Sequence, residues 1–351
     1  MTDDDGNFYK GVILITFSHT FSYFLRHRNW PLLNRNFAFI LEPSWAGYAD
    51  PDILAFAQRA EHCVIQASEI KDRVLVNSIF PGVPCMDTGA SNWIDDVYFD
   101  RERFDISNKE FDAVYVANLN PIKRVFRAID LAWEVSKFRK NVKIAIVCAG
   151  WGSGSFEDLN EHIKKRKLDD NLFLYKGMPQ ERLMDLVIKS KCSILLSLKE
   201  GSNRVLFESM FLDVPVICLS ENVGVNKSYI NAETGLLVSD STLPRALVYM
   251  SANYGKFSPR KWAINNISPK VTTGKLSQVI NNNFPDEVNS NLWVKVNSPE
   301  VSYRDNILDE TKFLELMGAD SESEFLNRCR EMSDLSRPSS GSGKGALNNV
   351  K

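Results

Sequence analysis

The sequence predicts an α/β protein, with a doubly wound parallel-sheet domain in its second half and a smaller α/β layer in its first. Three observations lead there. From about residue 111 onward, short apolar runs alternate with longer amphipathic ones, the pattern of parallel strands joined by crossover helices. The first hundred residues repeat that pattern with fewer units. A length of 351 residues suits two domains, each with a core of its own.

In the second half the strand runs are FDAVYVANL (111–119), KIAIVCAG (143–150), NLFLYKG (171–177), CSILLSL (192–198) and VPVICLS (214–220). Between them lie the helical runs FRAIDLAWEVSKF (126–138), FEDLNEHIKKRKL (156–168), QERLMDLVIKSK (180–191) and VLFESMF (205–211). In the first half GVILITF (11–17), FAFILEP (37–43) and HCVIQA (62–67) read as strands, and DPDILAFAQRA (50–60) as a helix. VPCMDTGASNWIDDVYFD (83–100) is rich in turn residues, lacks a clear period and reads as the connection between the halves. The resulting division is 1–107 for a short amino-terminal α/β domain, 108–284 for the doubly wound domain and 285–351 for an extension with helical candidates at 308–318 and 321–332. The Ser- and Gly-rich end, 336–351, has little to bury, so disorder is its expected state.

Composition narrows the function. With 44% hydrophobic and 25% charged residues the chain is ordinary for a globular protein, and a net charge of −2 gives no electrostatic footprint for nucleic acid. The acidic start MTDDDGNFYK lacks the basic-then-apolar order of a secretory signal, and no apolar run is long enough to span a bilayer, so a cytoplasmic protein is expected. The six cysteines contain no Cys-x-x-Cys pair, and Cys148, Cys192 and Cys218 sit in or beside apolar runs as buried free thiols. His19, His27, His62 and His162 have no metal-site spacing.

The stretch KEGSNRVLFESMFL (199–212) carries the chemistry. In an open parallel sheet, ligands bind beyond the carboxyl ends of strands, and here a strand ends in a charged turn that opens a helix. A helix start leaves unpaired N–H groups and partial positive charge, which favour an anion such as a diphosphate. Gly201 lets backbone approach a ligand, Ser202 or Asn203 can cap the helix, and Glu200 and Glu208 would face one cleft. On residue chemistry alone, a capped surface turn with a solvated Glu200 explains the stretch equally well.

The pair Glu200-Gly201, followed by Glu208 and the run VPVI, resembles the Glu-x7-Glu signature of retaining GT-B glycosyltransferases, specifically glycosyltransferase family 4. INAETGLLV (230–238), with Thr234 and Gly235, is similar to that family's segment after the motif. Upstream and in the same order, YVANLNPIKR resembles the first strand and loop of the nucleotide-sugar domain. VCAGWGSG, with Gly150, resembles a second phosphate-side loop, and LFLYKGMPQERLMDLV, with Gly177 and Met178, the base-binding strand and helix. The likeness spans roughly residues 111–284. It implies two Rossmann-like domains in a GT-B arrangement and a nucleoside-diphosphate-sugar donor. The acceptor would be carbohydrate or lipid-linked, and transfer would need neither metal nor cofactor.

Carried over residue by residue, the resemblance implies Glu200 beside the donor sugar and Glu208 on the ribose. Lys123 would lie on the diphosphate, with the amides from Gly201 to Arg204. Where the family carries an Arg five residues before that Lys, this chain has Asn118. Arg204 or Arg124 is the expected substitute, Arg204 first because it belongs to the anion-binding turn. Paired acids also suggest glycoside hydrolysis, but two glutamates from one short segment beside a phosphate-type turn fit transfer better. Asp50-Pro51-Asp52 could be an Asp-x-Asp metal pair, yet Asp before Pro before a helical run reads as a helix cap.

On the acceptor side, His19 and Glu42 each follow a strand and are candidate bases for the acceptor hydroxyl; each also reads as a structural residue. The first domain is shorter than the family's and lacks its early glycine-rich loop. Together with Asn118, this keeps a non-catalytic nucleotide-sugar-binding scaffold open, alongside another GT-B enzyme such as a nucleotide-sugar epimerase. YFLRHRNWPLLNRNF (23–37) interleaves Arg26, His27, Arg28 and Arg35 with apolar residues. It suits peripheral contact with anionic lipid or, equally, a solvated basic face.

Overall fold

A computed structural model describes residues 8–16, 18–42, 51–104, 108–152, 154–292, 294–297 and four positions from 321 to 327. Two separate parallel sheets form, one of four strands and one of six.

The first sheet contains β1 (Gly11–Ile15), β2 (Phe37–Leu41), β3 (Cys63–Gln66) and β4 (Cys85–Met86), in the order β1-β2-β3-β4. Its crossovers carry α1 (Ser18–Arg26), α2 (Trp30–Asn36), α3 (Pro51–Arg59) and α4 (Ile70–Ile79). α3 begins at Pro51, whose missing N–H costs a first helical turn nothing; Asp50 lies outside the described residues. Among the described residues the order of these strands does not reverse, and right-handed crossovers then place successive helices on one face. The GT-B resemblance implies a double winding here too, but the reversal that creates one is found in the second sheet.

Alternation along each strand sends Phe39, Leu41, Cys63 and Ile65 to the helix-covered face, where Phe39, Phe56 and Trp30 pack with ring centroids 5.0–5.4 Å apart. Ala38, Ile40, Val64 and Met86 point to the opposite face.

The second sheet contains β5 (Ala113–Leu119), β6 (Ile144–Gly152), β7 (Leu172–Lys176), β8 (Ser193–Leu195), β9 (Val216–Leu219) and β10 (Gly235–Val238), in the order β10-β9-β8-β5-β6-β7. The direction of winding reverses between β5 and β8. Helices α5 (Val125–Ser136), α6 (Phe156–Lys165) and, later in the chain, α9 (Leu243–Asn253) bury one face. α7 (Gln180–Ile188), α8 (Arg204–Phe211) and α10 (Pro259–Ile267) bury the other. Cys148, Cys192 and Cys218 are buried free thiols.

After α10 the chain crosses back. In α11 (Pro269–Asn283), Leu276 and Ile280 seal the open face of the first sheet against Ala38, Ile40 and Val64. By packing, α11 belongs to the first unit. The segment that follows runs along the same unit: Val288 bridges Lys10 beside β1, and Asn297 bridges Ile94 in the connection between the units.

That connection is clamped by Arg260, which donates to the carbonyls of Phe99 at 2.9 Å, Phe211 at 2.5 Å and Asp96 at 3.2 Å. Further contacts tie the units directly. Ser68 Oγ donates to the Gly224 carbonyl at 3.0 Å, Tyr229 OH to the Asp87 carbonyl at 2.7 Å, and Lys227 pairs with Glu69 at 2.6 Å. No helix among the described residues is long and apolar enough to cross a membrane.

Candidate active site

Where winding reverses, two neighbouring strands send their following loops in opposite directions and leave a crevice at their carboxyl ends. Here that crevice lies beyond β5 and β8, and an ion pair bridges it. Lys123, in the turn after β5, places Nζ 2.7 and 2.6 Å from the two oxygens of Glu200, in the turn after β8.

Both groups are held from behind. Tyr115 OH on β5 donates to the carbonyl of Lys123, fixing the turn that carries the ammonium. Ser197 Oγ donates to Glu200 Oε1 at 2.5 Å, and the Glu200 amide donates to the Val223 carbonyl at 2.8 Å. The glutamate side chain is only 6% exposed. Gly224 adopts φ +105°, and a Cβ there would lie 1.7 Å from the Glu200 carbonyl oxygen, so glycine is required. The loop after β9 is therefore a backbone brace for Glu200.

The next residues start α8. Asn203 caps it by accepting the Leu206 N–H at 2.9 Å, while Ser202 Oγ accepts the Ser91 N–H at 3.1 Å and donates to Ser91 Oγ at 3.0 Å. Ser202 is thus a clasp to the first unit, and capping falls to Asn203. Gly201 precedes them in the same turn. Arg204 is 43% exposed and pairs along the helix with Glu208 at 3.2 Å. Glu208 itself is buried. Burial pushes its carboxyl above the usual range, opposed by the Arg204 charge and a hydrogen bond from Gln180 at the start of α7.

Asn118, the residue before the last of β5, accepts the Asn120 N–H through Oδ1 at 3.1 Å, and so shapes the turn leading to Lys123. Arg124 is turned elsewhere: it donates to the Leu196 carbonyl at 3.1 Å and pairs with Asp240 at 2.6 Å. Of the two cations expected to stand in for the charge missing at Asn118, Arg204 lies in the turn beside Glu200 and Arg124 is engaged behind the sheet ends. Gly150 lies in the last residues of β6, whose Gly152 at φ +137° lets the strand pass within contact of Leu119. Gly177 donates its N–H to the Cys148 carbonyl at 2.9 Å and, with Met178, leads from β7 to α7.

On the other wall, Glu42 follows β2 but faces inward, 3% exposed, with Oε2 accepting Trp93 Nε1–H at 2.5 Å. Burial raises its pKa, opposed first by Lys295, 3.9 Å away. His19 lies in the first turn of α1, and its side chain falls outside the described residues. No cluster of three or more His, Cys, Asp or Glu side chains placed to hold a metal ion occurs among the described residues.

Ser197, Gly224, Gln180, Trp93 and Lys295 were not singled out from sequence. Gly224, in ENVGVN, carries a local signal, a glycine in the loop after an apolar strand. Trp93 and Lys295 carry none, because they reach Glu42 from separate stretches of chain.

Residues 96–249 match the family of glycosyl transferases group 1. An N-acetyl-alpha-D-glucosaminyl L-malate synthase of Bacillus anthracis is 31% identical over 162 residues, which cover 43% of this chain and 40% of that protein. Among solved structures, S. aureus TarM superposes with a TM-score of 0.59 at 16% identity, over 77% of this chain and 55% of that one. A sucrose-phosphate synthase from Thermosynechococcus elongatus gives 0.56 at 13% identity, over 78% of this chain and 74% of that one. The chain thus spans about two fifths of the curated relative and about half of the first structural one. Residues 96–249 are thus similar to the glycosyl transferases group 1 family, and the two parallel sheets share the fold of these solved structures.

Proposed function

We propose that the protein is a retaining, metal-independent glycosyltransferase that moves a sugar from a nucleoside diphosphate to an acceptor hydroxyl. The observation that carries this reading is the Lys123–Glu200 pair, which spans the reversal point of the second sheet beside the start of α8. A diphosphate laid on the α8 turn would meet the amides from Gly201 to Arg204 and the positive end of the helix. It would also draw Lys123 away from Glu200. Lys123 then stabilises the negative charge that develops on the departing diphosphate, and the freed Glu200 carboxylate supports positive character at the anomeric carbon. The bond from that carbon to the diphosphate oxygen breaks, the acceptor oxygen bonds to the same carbon, and the acceptor proton passes to the departing phosphate. Glu208, beside Gln180, fixes the ribose.

Two structural neighbours support the substrate class: S. aureus TarM, solved in complex with UDP and alpha-GlcNAc-glycerol, and a pneumococcal O-GlcNAc transferase, solved in complex with UDP and GlcNAc. The acceptor is carbohydrate or lipid-linked, and any membrane contact is peripheral, through residues 23–37. A second reading, a nucleotide-sugar-binding scaffold, is favoured by the neutral Asn118 near the end of β5, five residues before Lys123. A panel of nucleoside-diphosphate sugars separates the two when thermal shift and diphosphate release are both measured. Transfer predicts a donor that both binds and is consumed; a donor that binds without turnover in the presence of hydroxyl acceptors supports the scaffold.

A further inference from the structure

The loop between β9 and β10, residues 220–234, belongs to the second unit and is gripped by the first. Asn226 Nδ2 and Tyr229 OH both donate to the Asp87 carbonyl, at 3.0 and 2.7 Å, and Asn92 Nδ2 donates to the Tyr229 oxygen at 3.1 Å. Ser68 Oγ reaches the Gly224 carbonyl. Between these grips stands Lys227, the first residue of a short turn, Lys227–Tyr229, that Asn226 caps by accepting the Ser228 N–H at 3.1 Å.

The Lys227 ammonium donates in two directions. One bond, at 2.6 Å, goes to Oε1 of Glu69, the residue before α4 in the first unit, whose side chain is buried. The other, also at 2.6 Å, goes back to the carbonyl of Asn222 in its own loop. Hydrogen bonds from an ionised donor are roughly twice as strong as neutral ones, so Asn222 is tied firmly to the start of α4. Asn222 is buried in turn, and both ends of its amide are used: Oδ1 accepts the Val225 N–H at 3.2 Å, and Nδ2 donates to the Ser197 carbonyl at 2.8 Å. Ser197 is the residue whose Oγ donates to Glu200 Oε1, and the carbonyl of Val223, next to Asn222, accepts the Glu200 N–H. A continuous path of hydrogen bonds therefore runs from Glu69 through Lys227, Asn222 and Ser197 to the Glu200 carboxylate.

We infer that Lys227 is a positioning residue for Glu200, one that makes the orientation of this carboxylate depend on the contact between the two units. The inference rests on the proposed role of Glu200 in transfer. Cohesion between the units needs only the bond to Glu69. The second bond is spent inside the loop, on the residue whose side chain holds Ser197, and so joins cohesion to alignment. Displacement of a reacting group by about 1 Å is enough to slow a reaction 10²-fold, which is why a residue that touches no reacting atom can matter to the rate.

Two measurements on the full chain test this. The first needs no substrate: chemical denaturation of Lys227→Met and Ser197→Ala, singly and together. In one network the midpoint shift of the double variant is smaller than the sum of the two single shifts, and additive shifts overturn the path. The second is turnover of the donor selected by the nucleoside-diphosphate-sugar panel. Lys227→Met is expected to lower kcat about tenfold or more with the donor KM within about threefold, and Lys227→Arg, which can donate both bonds, to recover kcat to within about threefold of native. Glu69→Gln, in the other unit, should lower kcat in the same sense. A purely cohesive ion pair predicts lost stability with kcat of the folded variants unchanged, and that result overturns the inference. Circular dichroism reports folding, and Glu69→Gln replaces Lys227→Met in both measurements if the latter does not fold. A native chain that consumes no donor sinks the transferase reading, and the denaturation cycle then decides the path by itself.

Discussion

The six-stranded sheet is covered on both faces by helices of its own unit, whereas the four-stranded sheet owes one of its two covers to α11, which arrives after the whole second unit has been built. The difference follows from strand order. A sheet that reverses its winding sends helices to both sides, and one that does not leaves a face bare. The same reversal opens the crevice that Lys123 and Glu200 bridge, so the second unit carries the turn that opens α8. The first unit contributes a wall, fastened by Ser68, Ser91 and Glu69 to the loops that shape that turn.

The strongest way to break this comparison is at the two covers. Ile280→Ala in α11 and Leu247→Ala in α9 each remove a fully buried side chain, and each is expected to cost about 2–5 kcal/mol. Hydrogen exchange should show the first loosening β1 to β3 and the second loosening the six-stranded sheet. If Ile280→Ala loosened both sheets equally, the division into units would be wrong.

Gly224→Ala strikes the brace behind Glu200. A side chain at φ +105° beside that carbonyl is expected to cost about 1–3 kcal/mol in chemical denaturation and to weaken nucleotide-sugar binding. A variant as stable as the native chain would remove the brace from the account.

Titration offers a third comparison, because each unit holds a lysine that burial lowers to about 8, Lys295 against the first and Lys109 beneath the second. Each keeps its proton in the unfolded chain up to about 10.5. Between pH 8 and 10.5 the unfolded state therefore binds more protons, and stability attributable to these groups rises with pH. Lys295→Met should remove part of that rise, on the order of 1–3 kcal/mol, and leave the share of Lys109. Denaturation midpoints across that range read the change, and an identical profile in the variant contradicts it.

The smallest effect is expected at the clasp. Ser202→Ala removes the contacts with Ser91 and should cost about 0.5–1.5 kcal/mol, with little change in the melting of either sheet.

What was legible in the sequence follows the same contrast. The second sheet could be read strand by strand, because buried parallel strands are continuous apolar runs and its crossovers are amphipathic helices. The turn from Glu200 to Arg204 was visible because its chemistry is local: a strand end, a glycine, a capping Asn and a helix start lie within a few residues. α11 was invisible as a cover for the first sheet, since a helical pattern shows an apolar face without naming the surface that it meets. Glu42 was visible as a carboxylate after a strand. Its inward turn toward Trp93 depends on a partner 51 residues away and on Lys295, which no local pattern connects to it.

The central claim is that Glu200, braced by Ser197 and Gly224 and paired with Lys123, acts on the sugar of a nucleoside-diphosphate donor. Glu200→Gln keeps the shape of the site and removes the charge. Measured as diphosphate release with a donor that binds the native chain, turnover should fall by about 10²–10³-fold while donor binding persists. Undiminished release by the variant would contradict the account.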